Sequence, residues 1–291
     1  MKFIILPLIS LLVSLSAYSQ IFYKIEGNGL KEPSYLFGTH HLAPTSILDS
    51  YPSLPQALEE TKAVVGEIDM TASQMEMAMA MQPYMMAPAD STLTALLTVE
   101  ELADLNKKFE PYAPMPGITL EHLGTMRPMV ISAMVSLGEM QKSLPGFDPN
   151  AQLDASFQLQ AKSEGKEIIP LETADMQARL LYTFTPIKKQ LADLKELLEK
   201  PEELVENCGK LNKAYLEGDL NTLLALTEGE DSDPAFMEAL LTLRNRNWMK
   251  SIPDIINSRP SLIAVGALHL AGDEGLVNQL RKAGYTVTAI K

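Results

Sequence analysis

Two histidines each stand three residues after a glycine that closes an apolar run. One is His41, in Pro33-Ser34-Tyr35-Leu36-Phe37-Gly38-Thr39-His40-His41-Leu42; the other is His269, in Pro260-Ser261-Leu262-Ile263-Ala264-Val265-Gly266-Ala267-Leu268-His269-Leu270. An imidazole can ligate a divalent ion or take a proton from a nucleophile. A lone Gly-x-x-His is more often a capping or core histidine than a functional one. Here the whole phrase recurs, from Pro-Ser through the apolar run to Gly-x-x-His-Leu, and that points to one shared site. A third candidate is Glu67, where Ala63-Val64-Val65-Gly66-Glu67-Ile68-Asp69 runs from apolar residues into two carboxylates.

The elements that must position these groups follow from the same phrases. A short apolar run bounded by Pro and Gly suits a buried strand of a parallel sheet. In open α/β sheets ligands bind in the crevice beyond the carboxyl ends of the strands. If their strands lie near each other, His41 and His269 meet at the rim of that crevice, and Glu67 occupies the equivalent place on its own strand. Strands are expected at Ile21 to Ile25 and Ser34 to Phe37, joined by a turn at Gly27-Asn28-Gly29. Pro55 to Lys62 reads as a helix with Pro at its first position.

From Met70 the character changes to helical. Met75, Met77, Met79, Met81, Met85 and Met86 crowd one segment; thioethers can bind Cu(I), but more often line an adaptable packing surface. Thr98-Val99-Glu100-Glu101 is a capping-box phrase opening a helix to Phe109. Thr119 to Lys142 carries a helical pattern with a kink or junction at Arg127-Pro128. After the turn Pro145-Gly146-Phe147-Asp148-Pro149, Asn150 is expected to cap a helix from Ala151 to Ser163 that bears Asp154. Gly165 ends it, and Glu167 to Leu171 returns to the sheet, closing on Glu172-Thr173. Helices dominate from Ala174 to Asn257, among them one holding Arg244-Asn245-Arg246-Asn247, from which an arginine is expected to reach an anion in the crevice. A terminal β-α-β unit closes the chain, through Leu262 to Val265, Glu274 to Ala283 and Tyr285 to Ile290. The fold class expected is α/β, a mixed central sheet flanked by helices, with a helical insertion at roughly 70–145 between the two histidine phrases.

Lys2, the apolar run Phe3 to Val13 and Ala17-Tyr18-Ser19 read as a cleavable signal peptide over residues 1–19, with Gln20 as the mature start. The run is too short for a stable membrane span, and the protein is expected to be periplasmic or secreted. Residues 20–291 are then enough for one large domain with a helical insert. The one cysteine, Cys208, cannot form an intrachain disulfide, so the core must carry stability. A net charge of −13 disfavours nucleic acid and anionic membranes as partners, since phosphate contacts need Lys and Arg patches.

Together these phrases resemble the TraB/GumN family, which includes the Tiki metalloproteases that clip Wnt proteins. The resemblance rests on Tyr35 to His41, on Gly66-Glu67-Ile68-Asp69, on Asp154, on Leu171-Glu172-Thr173 with Gln177, on Arg246-Asn247, and on Val265 to Leu270 with Gly272 and Gly275. It spans nearly all of the mature chain. It departs at His40, which stands where the family has an apolar residue. What the resemblance implies is a peptidase-like α/β fold in which His41, Glu67 and His269 hold a divalent ion. Mn²⁺ or Co²⁺ is favoured by the Tiki members, and Zn²⁺ is left open by mixed N/O ligation. Such an ion lowers the pKa of bound water and polarises a carbonyl. Asp69, Asp154 or Glu172, with His40 as a further neighbour, would orient a ligand or serve as base. Arg246 would steady an oxyanion or a substrate carboxylate. The expected activity is hydrolysis of a peptide or protein. Two rivals are a metal-free, esterase-like hydrolase with histidine as base, and a protein that binds peptide, metal or haem without turnover.

Overall fold

The computed structural model of the chain describes residues 21–144, 146–148, 150–229 and 232–291. The expected signal segment therefore lies outside the described residues, as do Pro145 and Pro149 of the expected turn. Six strands form one mixed sheet: β1 (Phe22–Glu26), β2 (Ser34–Thr39), β3 (Ala63–Gly66), β4 (Glu167–Pro170), β5 (Ser261–Gly266) and β6 (Thr286–Ala289). Their order is β4-β3-β5-β2-β1-β6. All neighbours from β4 to β2 pair in parallel, and β1 pairs antiparallel with both β2 and β6. Only β1 therefore runs against the rest.

The two histidine phrases form neighbouring strands. β2 and β5 pair in parallel from Tyr35↔Leu262 to Thr39↔Gly266, and every residue of β2 is buried, as an unbroken apolar run flanked on both sides requires. The repeated serine has a physical use, because the Ser261 N–H donates to Ser34 Oγ at 3.0 Å. The hairpin before β2 turns through positive φ at Gly27, Asn28 and Gly29 (79°, 48° and 86°), the backbone region that glycine and asparagine enter most cheaply. Helix Leu153–Ser163 lies on β3, β4 and β5, its Phe157 ring edge-on to Phe37 with centroids 5.2 Å apart.

Beside the sheet stands a helical layer with its own core. Leu93, Leu102, Leu105, Phe109, Ile131 and Val135 pack with Leu191, Leu194 and Leu198, so this layer recruits helix Ile187–Glu199 as well as the segment before 145. The capping box at Thr98 forms as expected, with Glu101 closing it. A second box, Ser73 with Glu76, opens the methionine-rich helix Gln74–Met85. That helix packs on helix Ala174–Thr183 and buries no residue completely.

Two helix starts differ from expectation. The pattern from Thr119 becomes helix only at Pro128 (Pro128–Ser143), with Arg127 extended at φ −65°, ψ 145°; proline disfavours helical backbone at the residue before it and suits the first helical position itself. The helix bearing Asp154 begins at Leu153 behind Gln152. Asn150 does not cap it, because it stands two residues before the N-cap position, and its N–H donates to Asp148 Oδ1. No helix among the described residues is long and apolar enough to cross a membrane.

Candidate functional site

The carboxyl ends of β3, β5 and β2 lie side by side, and each delivers one candidate group to the crevice beyond them. Because Gly66 pairs with Ala264, Glu67 leaves β3 beside Gly266, and its Oε1 accepts the Gly266 N–H at 2.9 Å. β4 brings Glu172 to the same edge, where the Glu172 N–H donates to the Glu67 carbonyl at 2.9 Å. The Gln177 amide donates to both carboxylates, at 2.9 Å to Glu67 and 3.1 Å to Glu172.

Arg244 joins them. Its Nε donates to Glu172 Oε2 at 3.1 Å and its Nη2 to Glu172 Oε1 at 2.5 Å, a two-point fork. Nη2 also reaches Glu67 Oε2 at 2.5 Å, while Nη1 donates to His269 Nε2 at 3.0 Å and to the Leu240 carbonyl at 3.1 Å. The guanidinium lies 4.7 Å from the Trp248 ring centroid, one helical turn on, where a cation is attracted by the ring face. Burial alone would raise the Glu67 carboxyl, but His269, Arg244 and the Gly266 N–H outweigh it and hold the group down to about 2. Of these only Arg244 carries a full charge at neutral pH.

His269 follows β5 in the short turn Ala267–Leu270 and is 3% exposed. The Asn245 Nδ2 donates to the carbonyls of His269 and Glu274, so Asn245 Oδ1 faces the imidazole, 2.7 Å from Nδ1. Nδ1 must then carry the proton and Nε2 the lone pair. Burial drives the His269 pKa down to about 3 against the opposing pull of Glu67. His41 differs: its side chain is 70% exposed, with Nδ1 3.3 Å from the buried Asp154 Oδ2. The Asp154 carboxylate, as acceptor facing Nδ1, raises its pKa, against the effect of desolvation. His40 stacks near Tyr215, with ring centroids 5.0 Å apart, and burial lowers its pKa to about 4.

One cavity of about 260 Å³ is lined by His40, His41, Glu67, Arg244 and His269, and leucines such as Leu181 and Leu240 supply its apolar lining. Thr39 Oγ1 and His40 Nε2 are buried without a hydrogen-bond partner among the described residues, and both residues line this cavity. Gly38 permits the two turns to meet, since a Cβ there would stand 3.0 Å from the Ala267 Cα.

The crevice thus gathers His41, Glu67 and His269, with Glu172 behind Glu67 and Asp154 behind His41. Asp69 is not among them: its Oδ1 accepts from Thr71 N and Oγ1 at 2.8 and 2.7 Å, fastening a local turn. Nor is Arg246, which is 54% exposed and pairs with Glu274 at 3.1 Å. Arg244 occupies the place expected of it. Residues two apart on a helix lie on nearly opposite faces, and the buried Trp248, four residues after Arg244, marks the inward face. Asn245 carried no signal beyond its neighbourhood. Arg246→Ala is expected to cost less than about 1 kcal/mol in urea denaturation, as for exposed pairs generally, and to leave the crevice intact; a larger loss would show that the outer pair matters.

Acid should destabilise the fold in a defined window. His269 and His40 titrate below their ordinary value when folded, so the unfolded chain takes up protons first. Their stabilisation is full above about pH 6.5 and drains as pH falls toward 4, by about 1.4 kcal/mol per pH unit for each histidine. His41, raised by Asp154, acts in the opposite sense just above that window. Urea midpoints measured from pH 7 to pH 4 should fall steadily, and a flat profile would contradict the buried neutral histidines.

A crevice of histidine and carboxylate groups at the carboxyl edge of a mixed α/β sheet defines the class of protein. The TraB/PrgY/gumN family profile matches residues 21–289, and the chain belongs to that family. Among curated proteins it is similar to a "Metalloprotease TIKI homolog" of Amphimedon queenslandica, 22% identical with 89% of this chain aligned. It is similar too to a "Metalloprotease TIKI homolog" of Nematostella vectensis, 23% identical over the same 89%. The chain spans only 59% and 65% of the length of these relatives. No solved structure matches it.

The donor chemistry suits a divalent ion. His269 presents an unprotonated Nε2 with its other nitrogen held by an amide oxygen, the outer-shell pattern of a ligating histidine. Glu67 is ionised, and His41 has Asp154 on Nδ1 and its other nitrogen uncommitted. As arranged, however, Arg244 covers the Glu67 and His269 donor atoms, and among the described residues no three of His, Cys, Asp and Glu form a group that could hold an ion together.

Proposed function

We propose that the protein is a divalent-metal-dependent hydrolase acting on peptide bonds, with His41, Glu67 and His269 as the ion's ligands. The observation that carries this reading is the fixed tautomer of His269, whose Nε2 lone pair accepts from Arg244 and lies 3.8 Å from Glu67 Oε1 in the cavity that His41 also lines. The relatives' description as metalloproteases supports the peptide substrate. Mn²⁺ or Co²⁺ is the favoured ion, with Zn²⁺ compatible with the same donors. A bound ion would supply an activated water and a polarised carbonyl. The chain's own residues do the rest. Asp154 orients His41, Asn245 orients His269, and Glu172 holds Arg244 beside the proposed ligands, from where an N–H freed from Glu67 or His269 would meet an oxyanion or a substrate carboxylate. The leucine lining excludes water and suits an apolar side chain next to the cleaved bond. Export to the periplasm or medium after loss of residues 1–19 belongs to the same proposal, and N-terminal sequencing of the mature protein tests it.

The test is titration of the full protein with Mn²⁺, Co²⁺ and Zn²⁺ beside a His41→Ala/His269→Ala variant, followed by a peptide-cleavage screen. Stoichiometric binding that the variant loses is expected. Binding by neither form would remove the ion from the reading. A second reading draws on the contact between His41 and Asp154 at 3.3 Å, because a buried carboxylate on Nδ1 is how a metal-free hydrolase orients a histidine base. Cleavage that survives exhaustive chelation and is lost in Asp154→Asn would favour it.

A further inference from the structure

The most heavily partnered side chain in the crevice is neither a histidine nor a carboxylate but the guanidinium of Arg244. It is 8% exposed and, besides the Leu240 carbonyl and the Trp248 ring, its partners fall into two sets. The first is Glu172, gripped at both oxygens by Nε and Nη2, the planar fork geometry that fixes an arginine most firmly. The second is the pair of atoms that the proposed metal site needs, Glu67 Oε2 under Nη2 and His269 Nε2 under Nη1. An arginine does not shed its proton in a protein, so it cannot leave these atoms by becoming neutral. It can leave only by being displaced.

Charge makes displacement by a cation reasonable. Three carboxylates, Glu67, Glu172 and Asp154, stand against the one guanidinium in and behind the crevice, with His41 beside Asp154. The crevice therefore keeps an excess of negative charge even with Arg244 in place. Burying such carboxylates without a partner is costly, and Arg244 relieves that cost while the ion is absent.

We propose that Arg244 is a resident counter-cation of this crevice, and that a divalent ion enters by exchange with it. Nη1 and Nη2 release His269 and Glu67 to the ion, and the guanidinium remains in the crevice paired with Glu172, the two side chains shifting together. The inference rests on the metal-site reading above and adds to it a built-in competitor, which weakens apparent ion affinity and keeps the ion-free protein folded.

The test uses the full protein and Arg244→Met, with Mn²⁺ affinity measured calorimetrically and thermal unfolding followed with and without Mn²⁺. Expected is Mn²⁺ binding at least about ten-fold tighter in the variant, a lower unfolding temperature for the ion-free variant, and a larger Mn²⁺-induced rise than in the wild type. Wild-type binding with equal or weaker binding in the variant would overturn the exchange while leaving the metal site standing. Binding by the variant alone would overturn the exchange, since Arg244 would then exclude the ion outright, and would remove the metal from the wild-type function. Binding by neither would overturn both. Should Arg244→Met not fold, Arg244→Lys decides the same question, since it keeps the charge but loses the fork and is expected to bind Mn²⁺ more tightly than the wild type.

Discussion

Glu67→Ala is expected to lose about 3 kcal/mol of folding stability, the lower end of the range for breaking a buried ion pair, and with it the divalent-ion binding proposed for the crevice. Glu67 ties several parts of the site together: Gly266 on β5, Gln177 on helix Ala174–Thr183, Arg244 and, at 3.8 Å, His269. Its removal leaves the Gly266 N–H without its acceptor and takes away one of the five Arg244 hydrogen bonds, the one that spans the two carboxylates. The loss should depend on pH in a definite way. The folded carboxyl is held down to about 2, so its contribution is complete above the ordinary carboxylate range and disappears as pH falls toward 2. Urea denaturation of wild type and variant at pH 7 and pH 3 measures this. The gap between them should narrow in acid, and a gap of less than about 0.5 kcal/mol at pH 7 would show that Glu67 is not the hub of the crevice.

Gly275→Ala should be nearly as damaging without touching any reactive group. A Cβ at Gly275 would stand 2.3 Å from the carbonyl oxygens of both Leu270 and Ala271 and 2.6 Å from the Leu270 carbonyl carbon. Those are backbone atoms at the end of the turn that carries His269, so they can yield only by moving that turn. The backbone at Gly275, φ −70° and ψ 151°, suits any residue, and the cost is therefore one of overpacking, about 3 kcal/mol at the upper end of its usual range. Trp248 reports the outcome, since its ring centroid lies 4.3 Å from that of His269 and it is the chain's one tryptophan. Its emission should shift in Gly275→Ala. Gly209→Ala is the contrasting change: nothing lies within 4 Å of the added carbon, and within helix Pro201–Leu216 alanine should stabilise by about 0.5–1 kcal/mol. Unchanged emission and stability in Gly275→Ala would mean that the His269 turn tolerates rearrangement.

What the sequence disclosed well was everything governed by short periods and punctuation. The duplicated Pro-Ser phrase, the apolar runs and their terminal glycines were enough to anticipate strands β2, β3 and β5 and the groups at their ends. The α/β class followed from the same runs. The face of the helix bearing Arg244 was less legible. Arg244-Asn245-Arg246-Asn247 alternates without apolar markers, and helical phase can be read there only from Trp248, outside the four residues. A widened π-helical turn, Glu238–Thr242, precedes them and breaks the count from upstream. The second core was hidden for another reason. Leu191, Leu194 and Leu198 lie far along the chain from Leu93 and Leu105, and a contact between distant amphipathic helices leaves no mark on local periodicity. His40 and His41 stand together in sequence, yet one is packed against Tyr215 and the other faces solvent. Neighbouring residues in a tight turn diverge by backbone geometry that composition does not encode.

The strand order has a bearing on how the chain acquires its structure. β5 is the central partner that joins β3 and β4 to β2 and β1, and it comes from Ser261–Gly266. Until that segment is in place, the earlier strands are two separate pairs with no ladder between them. The join that unites the sheet also creates the crevice, because it alone sets the end of β2 beside the end of β3. Assembly of the sheet is therefore dominated by contacts distant in sequence, of the kind that fold slowly. An incomplete chain has neither a continuous sheet nor a binding site, so any activity of this crevice is withheld until the central strand has docked.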